Sequence, residues 1–390
     1  MSGRTGRATV QWATYGAVTG AVVLVGLALG VSLPLVSLRL DGWGHGAFAI
    51  GVMAAMPAVG VLLGARLSHR LAGWCGTPRS LQLSLLLSAA SVAALALWQD
   101  YVLWLPLRLL LGISLTVVFV LGESWINQLA AEHWRGRLVA LYGTGFALSQ
   151  LCGPLLLSVL GSAGEQGFWL AAGLLLCGIP LLCGRGGAPQ VGHQARAGGG
   201  LLAFCRGQPA IAWAVVLFAA FDVLVLTLLP VYLLREGIEQ ASALHMLGAL
   251  VLGNALLQLP LGLLADRLPR TRLFRACGLL LLGASLALPL LLHAPLVWLL
   301  LPLLGASAGG LYTLALVLVG ERYRDDALLR ANGHIALLWG TGSLLGPLAS
   351  GAASQWLSGH GLPLLLAAGA ALFVVLAWRR GAFEWRGSPG

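Results

Sequence analysis

Asp222 is the residue whose type and place speak most directly of chemistry. In Ala220-Phe-Asp-Val-Leu224 it is the only carboxylate near the middle of any long apolar run in the chain. An ionised carboxylate is costly in an apolar interior, so burial favours its neutral form. An isolated acid at such a place suits a group that binds and releases a proton. Arg108, in Leu105-Pro-Leu-Arg-Leu-Leu-Leu-Gly112, is the only arginine inside an apolar run. It must face water, a carboxylate or backbone carbonyls, or else snorkel to the nearer interface. Gln150, Asn254, Gln258 and Tyr312 also stand inside apolar runs. Hydrogen bonding to a substrate and hydrogen bonding between helices are both open to them. Arg108 favours an anionic substrate and Asp222 a cationic one; paired with each other, they favour neither.

A second cluster lies at Pro260-Leu-Gly-Leu-Leu-Ala-Asp-Arg-Leu-Pro-Arg-Thr-Arg272. An apolar run ends at Ala265, Asp266 meets water, and Arg267, Arg270 and Arg272 follow before the next apolar run. This is a tight hairpin between two helices, in which Gly262 permits close approach and Asp266 can bond the loop or pair with an arginine. Glu123 and Glu321, each at the end of a Val/Leu-Gly-Glu stretch, could accept the loop arginines. Gly305-Ala-Ser-Ala-Gly309 matches G-x-S-x-G, but hydrolysis by Ser307 would need a histidine within reach. The candidates His293 and His334 sit near the ends of apolar runs, and packing by small residues is the competing explanation. The sequence contains no H-E-x-x-H, no P-loop and no C-x-x-C, so no cofactor or metal is expected.

The elements that must position these residues are membrane helices. Of the 390 residues, 58% are hydrophobic and 9% charged, and the mean hydropathy is +0.89. That composition excludes an ordinary water-soluble domain. Apolar runs predict twelve spans near 13–38, 45–68, 80–98, 101–127, 137–161, 166–184, 209–234, 242–265, 273–293, 295–320, 332–357 and 361–379. Every basic residue is an arginine, and 20 of the 23 fall at alternate ends and loops. The positive-inside rule then places both termini in the cytoplasm and leaves Arg39 and Arg235 outside. The net charge of +10 therefore describes topology rather than a nucleic-acid partner. At about 1.5 Å rise per residue, Arg108 lies about 10 Å and Asp222 about 18 Å from the outer ends of their helices.

The chain also repeats. Leu33-Pro-Leu-Val-Ser-Leu-Arg39 returns as Leu229-Pro-Val-Tyr-Leu-Leu-Arg235, Val120-Leu-Gly-Glu123 as Leu318-Val-Gly-Glu321, and Tyr142-Gly-Thr-Gly145 as Trp339-Gly-Thr-Gly342. The order is the same each time, which predicts two six-helix halves, 1–184 and 209–390. Residues 185–208, rich in Gly with three Arg and one Pro, are the expected flexible cytoplasmic linker.

The stretch Gly262-x-x-x-Asp266-Arg267-x-x-Arg270-x-Arg272 resembles the loop signature of the major facilitator superfamily of secondary transporters, and the repeat places it between spans 8 and 9, where that family carries it. The first-half counterpart keeps Gly64 but has Ser68 in place of the Asp. Glu123-Ser-Trp125 and Leu311-Tyr-Thr313 look like a branch of small bacterial members. The resemblance implies an all-α fold of twelve helices in two pseudo-symmetric halves, alternating access about a midplane site, and a bacterial inner membrane. It implies a monomer in the bilayer whose partners are a small-molecule substrate and a coupling proton. It also implies that Asp222, Arg108, Gln150, Asn254, Gln258 and Tyr312 share a central cavity, and that Asp266, Arg267, Arg270, Glu123 and Glu321 latch the cytoplasmic gate. Gly333, Gly342, Gly346-Pro347 and Gly351 resemble the antiporter motif of drug exporters, displaced from span 5 to span 11, which leans the reading towards export.

Overall fold

The computed structural model describes residues 11–129, 135–184, 200–256, 264, 267–323, 325–357 and 359–379. They form helices α1 (Trp12–Gly42), α2 (Ala47–Cys75), α3 (Thr77–Leu97), α4 (Tyr101–Leu129), α5 (Arg135–Leu160), α6 (Gln166–Leu181), α7 (Leu201–Gly207), α8 (Pro209–Arg235), α9 (Gln240–Leu256), α10 (Arg270–Leu291), α11 (Val297–Arg322), α12 (Asp325–Trp356) and α13 (Gly361–Trp378). Ten of these are long and apolar enough to cross a membrane, and α6 and α9 are shorter apolar helices of 16 and 17 described residues. With α7 set aside, one helix answers to each expected span. No strand occurs among the described residues. In a bilayer that is the physical requirement, because a helix satisfies its backbone polar groups within itself.

Two boundaries differ from the sequence reading. Helix α2 runs on to Cys75 instead of ending near 68, and α12 starts at Asp325 instead of 332. In both places the apolar run stops at the membrane edge while helix-compatible residues carry the backbone further. The expected linker is also not all flexible. Its end at 201–207 is helix α7, because Leu201-Leu-Ala-Phe204 offers apolar residues that dock. Phe204 is buried, with its ring 6.1 Å from Tyr323 and 5.4 Å from His334. Residues 185–199 lie outside the described part.

The packing repeats in the order the sequence repeats, and small residues set it. Helix α3 packs on α4 and α6, as α10 packs on α11 and α13. Gly153 of α5 sits against Gly30 of α1, and a methyl added at Gly26 would lie 2.8 Å from the Phe146 carbonyl oxygen. The same seam recurs between α12 and α8, where Gly346 meets Ala220 and Gly342 meets Val216. Gly60 and Gly64 of α2 press on α4, with added methyls 2.6 Å and 2.7 Å from the oxygens of Leu109 and Ile113. Gly253 and Gly305 do the same between α9 and α11. In lipid no hydrophobic force draws helices together, so such close approach is a main source of cohesion.

Two compact units follow from these contacts. One comprises Met1–Ser32, Gly60–Gly153 and Glu165–Gly192; the other comprises Leu33–Val59, Pro154–Gly164 and His193–Gly390. In the second unit, one end of α1, α2 and α5 is gathered with the helices of the second half. Gly51 of α2 meets Pro347 of α12, and a methyl added at Gly351 would lie 2.6 Å from the Ala47 oxygen. Ser158 of α5 stands 3.4 Å from His245, and Ser162 donates to Gln240 at 2.7 Å.

Candidate functional site

Helix α8 is the most thoroughly buried of the candidate spans, with neighbours in α9, α11, α12 and α13. Asp222, at its middle, is nevertheless partly exposed, and among the described residues it has no ion-pair or hydrogen-bond partner. A carboxylate turned to lipid would be costly. One turn away on the same face stands Phe218. Its ring stacks on Tyr312 of α11 at 5.0 Å and 15°, and meets Trp339 of α12 edge-on at 5.5 Å. Tyr312 and Trp339 close the triangle at 5.0 Å. Phe218 is buried, at 5% exposure, while Tyr312 and Trp339 are half-exposed.

In the first unit, Arg108 of α4 is entirely enclosed, at 0% exposure. Snorkelling is thereby excluded. Its Nε, Nη1 and Nη2 have no hydrogen-bond partner among the described residues. A buried guanidinium without partners is one of the most unfavourable groups a fold can hold. Gln150 of α5 is half-exposed, and its backbone oxygen lines the Gly30 seam. Asn254 of α9 is also half-exposed and adjoins Gly305 of α11. Gln258 lies outside the described residues. Of the expected midplane group, the structure thus brings Asp222 and Tyr312 onto facing helices of one unit.

Of the expected latch, one pair is made: Arg270, at the start of α10, bonds Glu321, at the end of α11. Arg267 is exposed, and Gly262 and Asp266 lie outside the described residues. The first-half counterpart is different. Glu123 is exposed and has no ion pair among the described residues, and Ser68 is buried with its hydroxyl donating to Ala65 at 2.9 Å. Ser307 is buried, and its hydroxyl donates to Leu304 at 2.9 Å within its own helix. No histidine hydrogen-bonds it among the described residues.

Sequence reasoning passed over a further ionic group. Arg235, at the end of α8, donates from Nε and Nη2 to Asp41 of α1 at 2.9 Å and 2.7 Å, and from Nη2 to the His45 carbonyl at 3.1 Å. Beside it, His360 lies 3.4 Å from Glu236 and 3.3 Å from the Tyr232 hydroxyl. Arg39, the repeat-mate of Arg235, instead keeps Nε and Nη2 buried with no hydrogen-bond partner among the described residues. The signal was available: Arg39 and Arg235 occupy equal places in the repeat, yet an Asp stands two residues beyond only the first. Phe218 and Trp339 were also passed over, although Phe218 precedes Asp222 by one turn and Trp339 opens a repeated motif.

A profile described as Major Facilitator Superfamily matches residues 18–301 and 237–389. The chain belongs to the major facilitator superfamily. Within the superfamily it is similar to the uncharacterized MFS-type transporter YcaD of Salmonella enteritidis PT4, with 27% identity over 367 residues that cover 92% of this chain and 93% of the relative. The YcaD of Shigella flexneri serotype 5b is 27% identical over 361 residues, with the same coverages. Solved superfamily structures share the fold. A D-xylose-proton symporter superposes with a TM-score of 0.74 at 18% identity, covering 95% of this chain and 98% of that one. The nucleoside transporter NupG gives 0.73 at 15%, covering 96% and 100%. The chain is accordingly a multi-pass membrane protein of a transporter superfamily, built on the expected fold of twelve helices in two repeated halves.

Proposed function

We propose that this protein is a secondary active transporter of a small molecule, working by alternating access and coupled to protons through Asp222. It resides as a monomer in a bacterial inner membrane, with both termini and the 185–208 linker in the cytoplasm. The observation that supports the coupling is Asp222, partly exposed at the middle of the most buried of the candidate spans and without a hydrogen-bond or ion-pair partner among the described residues. Such a group holds a proton when its surroundings are dry and releases it when water reaches it. The fold's likeness to a D-xylose-proton symporter supports the same reading. Arg108 is a second charge of the proposed cycle: its guanidinium is enclosed and has no hydrogen-bond partner among the described residues.

Two ionic contacts support the gating part of the reading. The Asp41–Arg235 pair fastens the end assigned to the outside, and the Arg270–Glu321 pair braces the end assigned to the cytoplasm. Export is the direction the glycine pattern of span 11 favours, while Gly342, Gly346 and Gly351 are also explained by helix contact. Hydrolysis by Ser307 is not favoured, since its hydroxyl is engaged with Leu304.

The test is transport in proteoliposomes under an imposed pH gradient, with a ligand first found by its stabilisation of the purified protein. Asp222→Asn should abolish gradient-driven accumulation yet permit binding and exchange. If this variant concentrates the ligand as wild type does, Asp222 is not the coupling residue.

A further inference from the structure

Two observations decide which sign of charge the site accepts. The buried cation Arg108 has no exposed surface, so a substrate has no access to it in this conformation. Asp222 keeps part of its surface exposed, and among the described residues it has no hydrogen-bond or ion-pair partner. Of these two charges the partly accessible one is therefore negative. Its neighbours are aromatic. Phe218 shares a face of α8 with Asp222, about 6 Å along the helix from four residues of rise. Tyr312 and Trp339 pack on that ring from α11 and α12, and both keep part of their surface open. Ring faces attract cations and stack on flat apolar bodies, and the attraction strengthens where water is scarce.

We infer that the substrate is an organic cation with an aromatic or bulky apolar body, its charge set against Asp222 and its body against the Phe218–Tyr312–Trp339 group. This rests on the reading of Asp222 as the central residue of a transport site and adds the chemical class of the ligand. It also explains why proton and substrate would exclude each other: both neutralise one carboxylate. A neutral polyol or sugar would find three rings here and few hydrogen-bonding groups. A carboxylate or phosphate would meet an acid of its own sign.

The experiment compares two ions of nearly equal shape and opposite charge, tetraphenylphosphonium and tetraphenylborate, on the purified full-length protein in detergent. Saturable binding is read by equilibrium dialysis against empty micelles. Tetraphenylphosphonium should bind saturably, with affinity falling as the pH is lowered and Asp222 takes up a proton. Tetraphenylborate should show no saturable component. Asp222→Asn should weaken the cation about tenfold or more, and Trp339→Ala about threefold to tenfold, with Trp339→Phe close to wild type. The contrast between the two ions needs no variant, so it stands even if one fails to fold. Saturable binding of the borate, or cation binding indifferent to Asp222→Asn, overturns the proposal. If neither ion binds while a screened ligand is still concentrated under a pH gradient, the substrate class is wrong and the transporter reading survives. If gradient-driven transport is absent as well, both fall.

Discussion

Arg108 carries the sharpest prediction at the residue scale. A charge held at 0% exposure, with three nitrogens that have no partner among the described residues, works against folding. Replacing it with a well-packed apolar residue of similar size, as in Arg108→Met, should leave stability unchanged or raise it, by up to about 4 kcal/mol on the precedent of buried ionic groups. The same variant should lose coupled transport. Thermal unfolding and gradient-driven uptake on one preparation check both. A protein that falls apart on losing Arg108 would make the residue structural and contradict its place in the cycle. Asp222 and Arg108 were legible in the sequence because a lone charge in an apolar run has few explanations. The rings around Asp222 were not, since Phe and Trp are ordinary inside membrane helices and only their contacts across α8, α11 and α12 set Phe218 and Trp339 apart. Asp41 and Arg235 were read as topology charges because loop charges usually are.

At the scale of the elements, the glycine seams divide into contacts a half always keeps and contacts that belong to one conformation. Gly351 belongs to the second kind: a side chain there collides with Ala47 and Phe48 of α2, 2.6 Å and 2.9 Å from an added methyl. Gly351→Val should drive the ends of α2 and α12 apart. An overpacked contact costs about 1–3 kcal/mol, enough to shift a conformational balance roughly fivefold to a hundredfold. Cysteines near Ala47 should then label faster from outside, while the melting temperature changes little. Gly283→Ala, on α10 where an added methyl meets nothing within 4 Å, is the neutral control. Unchanged labelling in Gly351→Val would show that the contact does not hold that end closed. The Asp41–Arg235 pair is predicted to act in the same direction but more weakly. It is partly exposed, at 19% and 40%, and such pairs contribute up to about 1 kcal/mol. Asp41→Asn should accordingly raise labelling of the same cysteines about threefold to fivefold, and an unchanged rate would remove the pair from the gate. The helices themselves were almost fully legible, because twenty apolar residues in a row leave one structural outcome in lipid. The missed parts, the length of α2 and the helix at 201–207, lie at or beyond the membrane edge, where hydropathy stops reporting on backbone structure.

The whole molecule is a repeat of one packing scheme, α1 on α5 and α2 on α4 answered by α8 on α12 and α9 on α11. The repeat in the sequence announced this order, although its individual matches are short. It did not announce how the chemistry is shared. The open acid and the rings belong to the second copy and the enclosed arginine to the first, so each half carries what the other lacks. In the proposed cycle the two ends of the bundle open in alternation, and the protonation of Asp222 sets the balance. A direct measurement places spin-label pairs at Gly44 and Glu239, by the segments the arginine pattern assigns to the outside, and at Trp74 and Leu268, by those it assigns to the cytoplasm, and follows both distances in lipid between pH 5 and pH 8. One distance should lengthen as the other shortens, and Asp222→Asn should hold both at their acid values across the range. Distances that stay fixed at every pH, or that lengthen and shorten together, would rule out an alternating cycle set by Asp222.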